Sequence, residues 1–162
     1  LYIHTNDTIN RNSSVAAAVF QGAPSRDKAY LATMWAALGQ PVTAVATPFW
    51  PGAGSVPSVA AGPDTAPLND FSRAVVAFLY PDARGRMPQY LNLTRLRTYG
   101  GEGVLPRLLR IEDAVLDRTA RKLGEWEARR PDAQAVAAFQ EEQAKVAYES
   151  LRTTFPDLAP RK

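Results

Sequence analysis

Few side chains in this sequence can do chemistry. One histidine and no cysteine occur among 162 residues, which rules out thiolate nucleophiles, disulfides and Cys/His metal sites within it. The lone imidazole, His4, needs carboxylate help to hold a metal, and Leu1-Tyr-Ile-His-Thr reads as a strand with His4 at its end. Ser13, Ser14, Ser55 and Ser72 are nucleophiles in composition only, since none lies in a G-x-S-x-G elbow. Gly100-Gly101-Glu102-Gly103 lacks both the Lys-Ser/Thr of a phosphate loop and the dinucleotide-binding spacing, and Gly52-Ala53-Gly54-Ser55 is too short, so both read as turns. Arg11 remains, in the turn Asn10-Arg11-Asn12. Its guanidinium is a fork of donors suited to a carboxylate, and the competing reading is a surface arginine. No metal and no cofactor are expected.

The charge balance narrows the partners. Nineteen basic and 16 acidic residues leave a net charge of +3, and the basic residues are dispersed rather than striped, so no nucleic-acid partner is expected. No apolar run approaches the ~20 residues of a membrane helix, and no membrane partner is expected. The first residues lack the basic start and apolar core of a signal peptide. The chain opens at Leu1 in a segment that reads as strand, and it reads as a fragment or processed piece of a longer protein. Its compartment stays open, an extracytoplasmic one included. Asn6, Asn12 and Asn92 each begin an N-x-S/T sequon, which matters only in a glycosylating pathway.

The elements that would position a site form one domain over 1–162, with strands and loops over 1–99 and a helical hairpin over 100–162. Ala29 to Trp50 reads as two strands joined by a tight turn at Gly39-Gln40-Pro41. Neither face of this pair carries a charge, which predicts cover on both sides. A small-residue strand over Ser14–Gly22 precedes it, making an antiparallel meander. Pro51 to Leu68 is a long Pro/Gly-rich loop with one charge, Asp64. A short helix capped by Asp70 is expected over Asp70–Tyr80, a loop over Pro81–Pro88, and a strand or irregular segment over Tyr90–Tyr99. After the glycine break, Pro106 suits a first helical turn, and Leu105, Leu108, Leu109, Glu112, Val115, Leu116, Leu123 and Trp126 follow helical spacing. Asp117–Arg121 and Glu125–Arg129 are i,i+4 pairs. Pro131 stops that helix, Asp132 caps the next, and Pro156 ends it; its stripe is Val136, Phe139, Gln143, Val146, Ala147, Ser150 and Leu151. The fold class expected is α+β.

Thr33-Met-Trp-Ala-Ala-Leu-Gly-Gln-Pro-Val-Thr-Ala-Val-Ala-Thr-Pro-Phe-Trp50 resembles the W-x-A-L-G-x-P-x-x-x-V-x-x-P-x-W strand pair of N-terminal-nucleophile (Ntn) amide hydrolases. The similarity is to the penicillin acyltransferase-like, linear-amide branch, with the choloylglycine hydrolase-like enzymes alongside. Asn10-Arg11-Asn12-Ser13-Ser14 before VAAAVFQG, the open loop after Trp50 and the charged helical tail from Leu105 agree with it. The resemblance implies part of a four-layer αββα sandwich. It also implies catalysis by an N-terminal nucleophile, usually Cys, with its own amino group as base and an oxyanion hole. Those parts belong to the family's first half: Leu1 has no nucleophilic atom, and the family's oxyanion Asn would fall upstream of residue 1. What the resemblance implies for this chain is Arg11 as a catalytic residue, Asn10 and Trp50 as substrate-binding residues, and Trp50 with the Pro51–Leu68 loop at a pocket rim. The implied partners are a small-molecule amide substrate and the missing N-terminal segment of the same protein. The alternatives are a non-enzymatic interaction module docking through the helical hairpin, and a structural half of another layered α/β hydrolase.

Overall fold

The computed structural model describes residues 1–6, 8–11, 13–80 and 89–160. The loop expected over Pro81–Pro88 and the Asn12 sequon lie outside the described residues. The elements in order are β1 (Tyr2–His4), β2 (Ala17–Gln21), β3 (Thr33–Ala37), β4 (Ala46–Phe49), α1 (Pro67–Leu79), β5 (Tyr90–Asn92), α2 (Leu93–Leu96), α3 (Val104–Ala128) and α4 (Ala133–Thr154). The class is α+β, with antiparallel sheets towards the N-terminus and a helical hairpin at the C-terminus.

The meander forms as a three-stranded antiparallel sheet in the order β2-β3-β4. Its register aligns Phe20, Met34 and Phe49 in one row and Val19, Trp35 and Pro48 in the next. Because strand side chains alternate, these rows lie on opposite faces. The strands are shorter than the uncharged stretch suggested. Ala29–Leu31 is a 3-10 turn, and so is Pro41–Thr43, where Pro41 lacks the N–H a ladder would need. The tight turn expected at Gly39-Gln40-Pro41 is therefore a longer connection from Leu38 to Val45. Gly39 does hold a positive φ of 136° there, and a Cβ on it would lie 2.0 Å from Ser72 Oγ.

Two-sided cover is found at the centre of the sheet and not at its edge. Val45 is buried, Trp35 half-buried, and Ala36 and Thr47 buried. On β2, the edge strand among the described residues, Val19 and Phe20 are 66% and 77% exposed. α3 borders the Trp35 face: Trp35 shares a cleft with its Leu116, Ala120 and Leu123.

The remaining elements follow their local chemistry. The helix expected from Asp70 starts earlier, at Pro67, so Asp70 sits in the first turn rather than at the cap. It buries Leu68, Phe71, Val75 and Leu79, each contributing about 1.5–3 kcal/mol of apolar burial. The Tyr90–Tyr99 segment divides. Tyr90–Asn92 pairs with β1, and the Asn92 side chain caps α2 by accepting from the Thr94 and Arg95 N–H groups.

α3 and α4 obey their punctuation, with Asp132 Oδ1 accepting from the Ala135 N–H at 2.7 Å. The buried face of α3 is Val104, Leu108, Ile111, Val115, Thr119 and Trp126, rotated from the expected stripe so that Leu109 and Leu116 are exposed. The described ion pairs of α3 are Lys28–Glu127, Arg118–Glu142 and Lys122–Glu125. The expected Asp117–Arg121 and Glu125–Arg129 pairs are not among them; Glu125 pairs with Lys122 of the same helix instead.

Two stability changes are expected. Gly39→Ala combines a positive φ with overlap against Ser72, and urea unfolding should show a loss of about 2 kcal/mol or more. Gln143 is buried in α4 with both amide atoms unpartnered among the described residues. Gln143→Met should therefore leave stability within about 1 kcal/mol of the parent or raise it, and a loss well above that would show that its amide is bonded in solution.

Candidate functional site

A largely apolar concavity lies at one end of the three-stranded sheet. It is a groove of about 530 Å³, within the range of small-molecule sites. Phe20, Met34 and Phe49 form one wall from three adjacent strands, and Trp50, Ser55 and Val56 form another. Thr33, Gln21 and Gln140 add the polar atoms, and among the described residues no charged side chain lines it. The groove suits an uncharged, largely apolar group.

Its second wall is a loop held by α4. The Trp50 N–H donates to Gln140 Oε1 at 2.8 Å, and Gln140 Nε2 donates to the Ser55 carbonyl at 2.8 Å. One buried amide thus satisfies the backbone on both sides of the 3-10 turn Pro51–Ala53. Next along α4, Glu141 accepts from the Ser58 N–H at 2.8 Å and from Ser58 Oγ at 2.5 Å. The Trp50 ring packs against Trp126 and Phe139 with centroids 5.2 and 5.8 Å away. The Pro/Gly-rich loop is therefore anchored along Trp50–Ser58 by three residues of one helix.

The Ser58–Glu141 contact is a clamp and not a nucleophile–base pair. The Ser58 hydroxyl, with Lys145 beside it, lowers the Glu141 carboxyl from 4.5 to about 2, and a carboxylate that weak does not deprotonate a serine near neutrality. Ser72 and Thr43 share a hydrogen bond of 2.6 Å with no base in contact. His4 is exposed and meets the Tyr90 ring edge-on at 5.1 Å. Among the described residues no cluster of His, Cys, Asp and Glu could hold a metal ion, and no helix is long and apolar enough to cross a membrane.

The residues singled out by sequence fall in two places. Trp50 lines the groove and is 3% exposed. Asn10 and Arg11 lie together beside the β3–β4 connection. Asn10 Oδ1 accepts from the Val42 N–H at 3.2 Å, and the Arg11 carbonyl accepts from Gln40 Nε2 at 2.5 Å. That connection follows the far end of β3, so about 13 Å of strand separates it from Thr33 and the groove.

Arg11 is exposed, and its backbone is fixed by a buried polar network. Gln40, 2% exposed, also donates to Tyr80 Oη at 2.9 Å, and its carbonyl accepts from Thr43 Oγ1 at 2.8 Å. Gln40 Oε1 has no partner among the described residues. Asn10, Arg11 and Trp50 thus do not converge on one pocket within this chain. Sequence reasoning did not mark Phe20, Met34, Gln40 or Gln140. For the two glutamines the available signal was an uncharged polar residue at a position its neighbours bury.

No family model, no curated protein and no solved structure matches the chain.

Glu141 should titrate near 2 by carboxyl-detected NMR, and Ser58→Ala should return it towards 4.5. A carboxyl held low contributes its stabilisation while ionised, so the clamp is complete above pH 4.5 and fades as pH falls towards 2. An unchanged titration in Ser58→Ala would remove the clamp. Gln140→Ala leaves the Trp50 N–H and Ser55 carbonyl unpaired and should cost about 1–3 kcal/mol; no loss in urea unfolding would show that the loop stands without it.

Proposed function

We propose that this chain is the C-terminal portion of an Ntn-type amide hydrolase or acyltransferase acting on linear amides, with the groove holding the apolar acyl part of the substrate. The observation that carries the reading is the join of two features. The segment with the family-like pattern, Trp35 to Trp50, is the antiparallel pair β3–β4, and its closing Phe49-Trp50 opens onto an uncharged apolar groove. α3 borders the Trp35 face, while Phe20 on the opposite face is 77% exposed beside the groove that Gln140 of α4 also lines. This is the arrangement expected of one α-and-β half of an αββα sandwich, whose second half would close the open side.

In this reading the upstream part of the same protein supplies the nucleophile, the amine that acts as its base, and the oxyanion donors. The groove contributes acyl recognition by burial of apolar surface. Arg11, its backbone pinned by Gln40, offers its exposed fork to a substrate carboxylate or to the nucleophile's segment across the interface.

The test is hydrolysis of N-acyl amino acids by the full-length gene product. Phe20→Asp, at a residue 77% exposed, should raise KM for an aryl-acyl amide by about tenfold, the loss of about 1.4 kcal/mol of contact, with kcat less affected. Arg11→Ala should lower turnover of substrates bearing a carboxylate. A full-length protein with no N-terminal Cys, Ser or Thr after processing, or without amide hydrolysis, would contradict the reading. Equal KM in Phe20→Asp would take the groove out of it.

A further inference from the structure

We propose that β2 is a dimerisation strand whose free edge pairs antiparallel with β2 of a second copy, about a two-fold axis at Val19, to give one six-stranded sheet. This goes beyond the amide-hydrolase reading and does not depend on it.

Among the described residues, the order β2-β3-β4 leaves one side of β2 without a neighbour. Alternate residues of an antiparallel strand bond to the neighbour on each side, so half of the N–H and C=O groups over Ala17–Gln21 point outward. Among the described residues no backbone bond outside the sheet engages them. A row of unpaired backbone groups accepts an extended strand and not a helix. The usual protections of an edge are absent: Ser13 to Gly22 contains no proline and no lysine, and no charged residue lies between Arg11 and Arg26. Val15, Val19 and Phe20 are exposed on it.

The segment is complementary to itself. With the axis at Val19, Ala17 faces Gln21, Ala18 faces Phe20 and Val19 faces its own copy. The large ring thus meets a methyl rather than another ring, and the paired strands bring no charge together. The isologous form uses one patch twice and closes at two copies. One face would carry the row Trp35–Val19 and its repeat. The other would extend the row Phe49–Met34–Phe20, with Ala18 of the partner subunit packed against Phe20. Phe20 lines the groove, so the second copy would complete that wall and cover a ring that is 77% exposed in the single chain.

Sedimentation velocity over a range of concentrations tests this. The expected result is a reversible shift from 17.7 kDa to twice that mass. Val19→Lys sets two ammonium groups opposite each other at the axis and should weaken association by about tenfold or more with an unchanged circular dichroism spectrum. Val19→Thr should keep the dimer. Amides of 17–21 that do not bond to β3 should exchange slowly in the dimer and fast on dilution. A monomer at every concentration overturns the proposal. So does a dimer indifferent to Val19→Lys, or one in which the β2 amides exchange as fast as in the monomer.

Discussion

One buried amide ties the two halves of this chain together. Gln140 sits on α4 at a position its neighbours close off, and it spends both its hydrogen-bonding groups on the backbone around Pro51–Ala53. The chain leaving β4 would otherwise be a proline- and glycine-rich segment with few apolar residues to hold it. Three rings, Trp50, Trp126 and Phe139, fill the space beside that contact and join the exit of β4 to both helices of the hairpin. The amide supplies direction and the rings supply burial. Losing either would leave the other less well placed, since buried polar groups without partners cost more than their bonds contribute.

That junction explains how a groove can exist at the end of a small sheet. The strands contribute a flat apolar floor, because Phe20, Met34 and Phe49 share one row. A floor alone is not a pocket. The wall comes from a loop that α4 holds upright, so a helix 90 residues further along the sequence shapes the cavity. The hairpin meanwhile uses its apolar stripe internally: Val115, Ala144, Ala147 and Leu151 are buried in the main core with Phe71 and Val75 of α1. Little of that stripe is left for a docking partner, which weighs against a hairpin-based interaction module.

The helical third was legible because its signals are local. Pro131, Asp132 and Pro156 act on the backbone within one turn of where they stand, and a 3.6-residue stripe needs no knowledge of the fold. The strands were legible in kind but not in length, since 3-10 turns at Ala29–Leu31 and Pro41–Thr43 interrupt an uncharged stretch that carries no stop signal. Half of α1's start was hidden as well, because Pro67 belongs equally to a loop and to a first helical turn. The groove was not legible, since its residues come from β2, β3, β4, a loop and α4 and meet only in three dimensions. Trp50 was marked by its place in a family-like pattern, while Gln140, which positions it, is a polar residue on the buried face of α4 whose sequence does not say which backbone it bonds.

The account rests on the groove beside Trp50 being the place where an uncharged acyl group binds. Amide chemical-shift mapping with an aryl-acyl glycine amide measures this most directly. The account predicts saturable shifts confined to the groove residues, Phe20, Thr33, Met34, Phe49, Trp50 and Ser55 among them, and quiet signals at Asn10, Gln40 and Val42. Shifts centred on Gln40, or none at millimolar ligand, would contradict it.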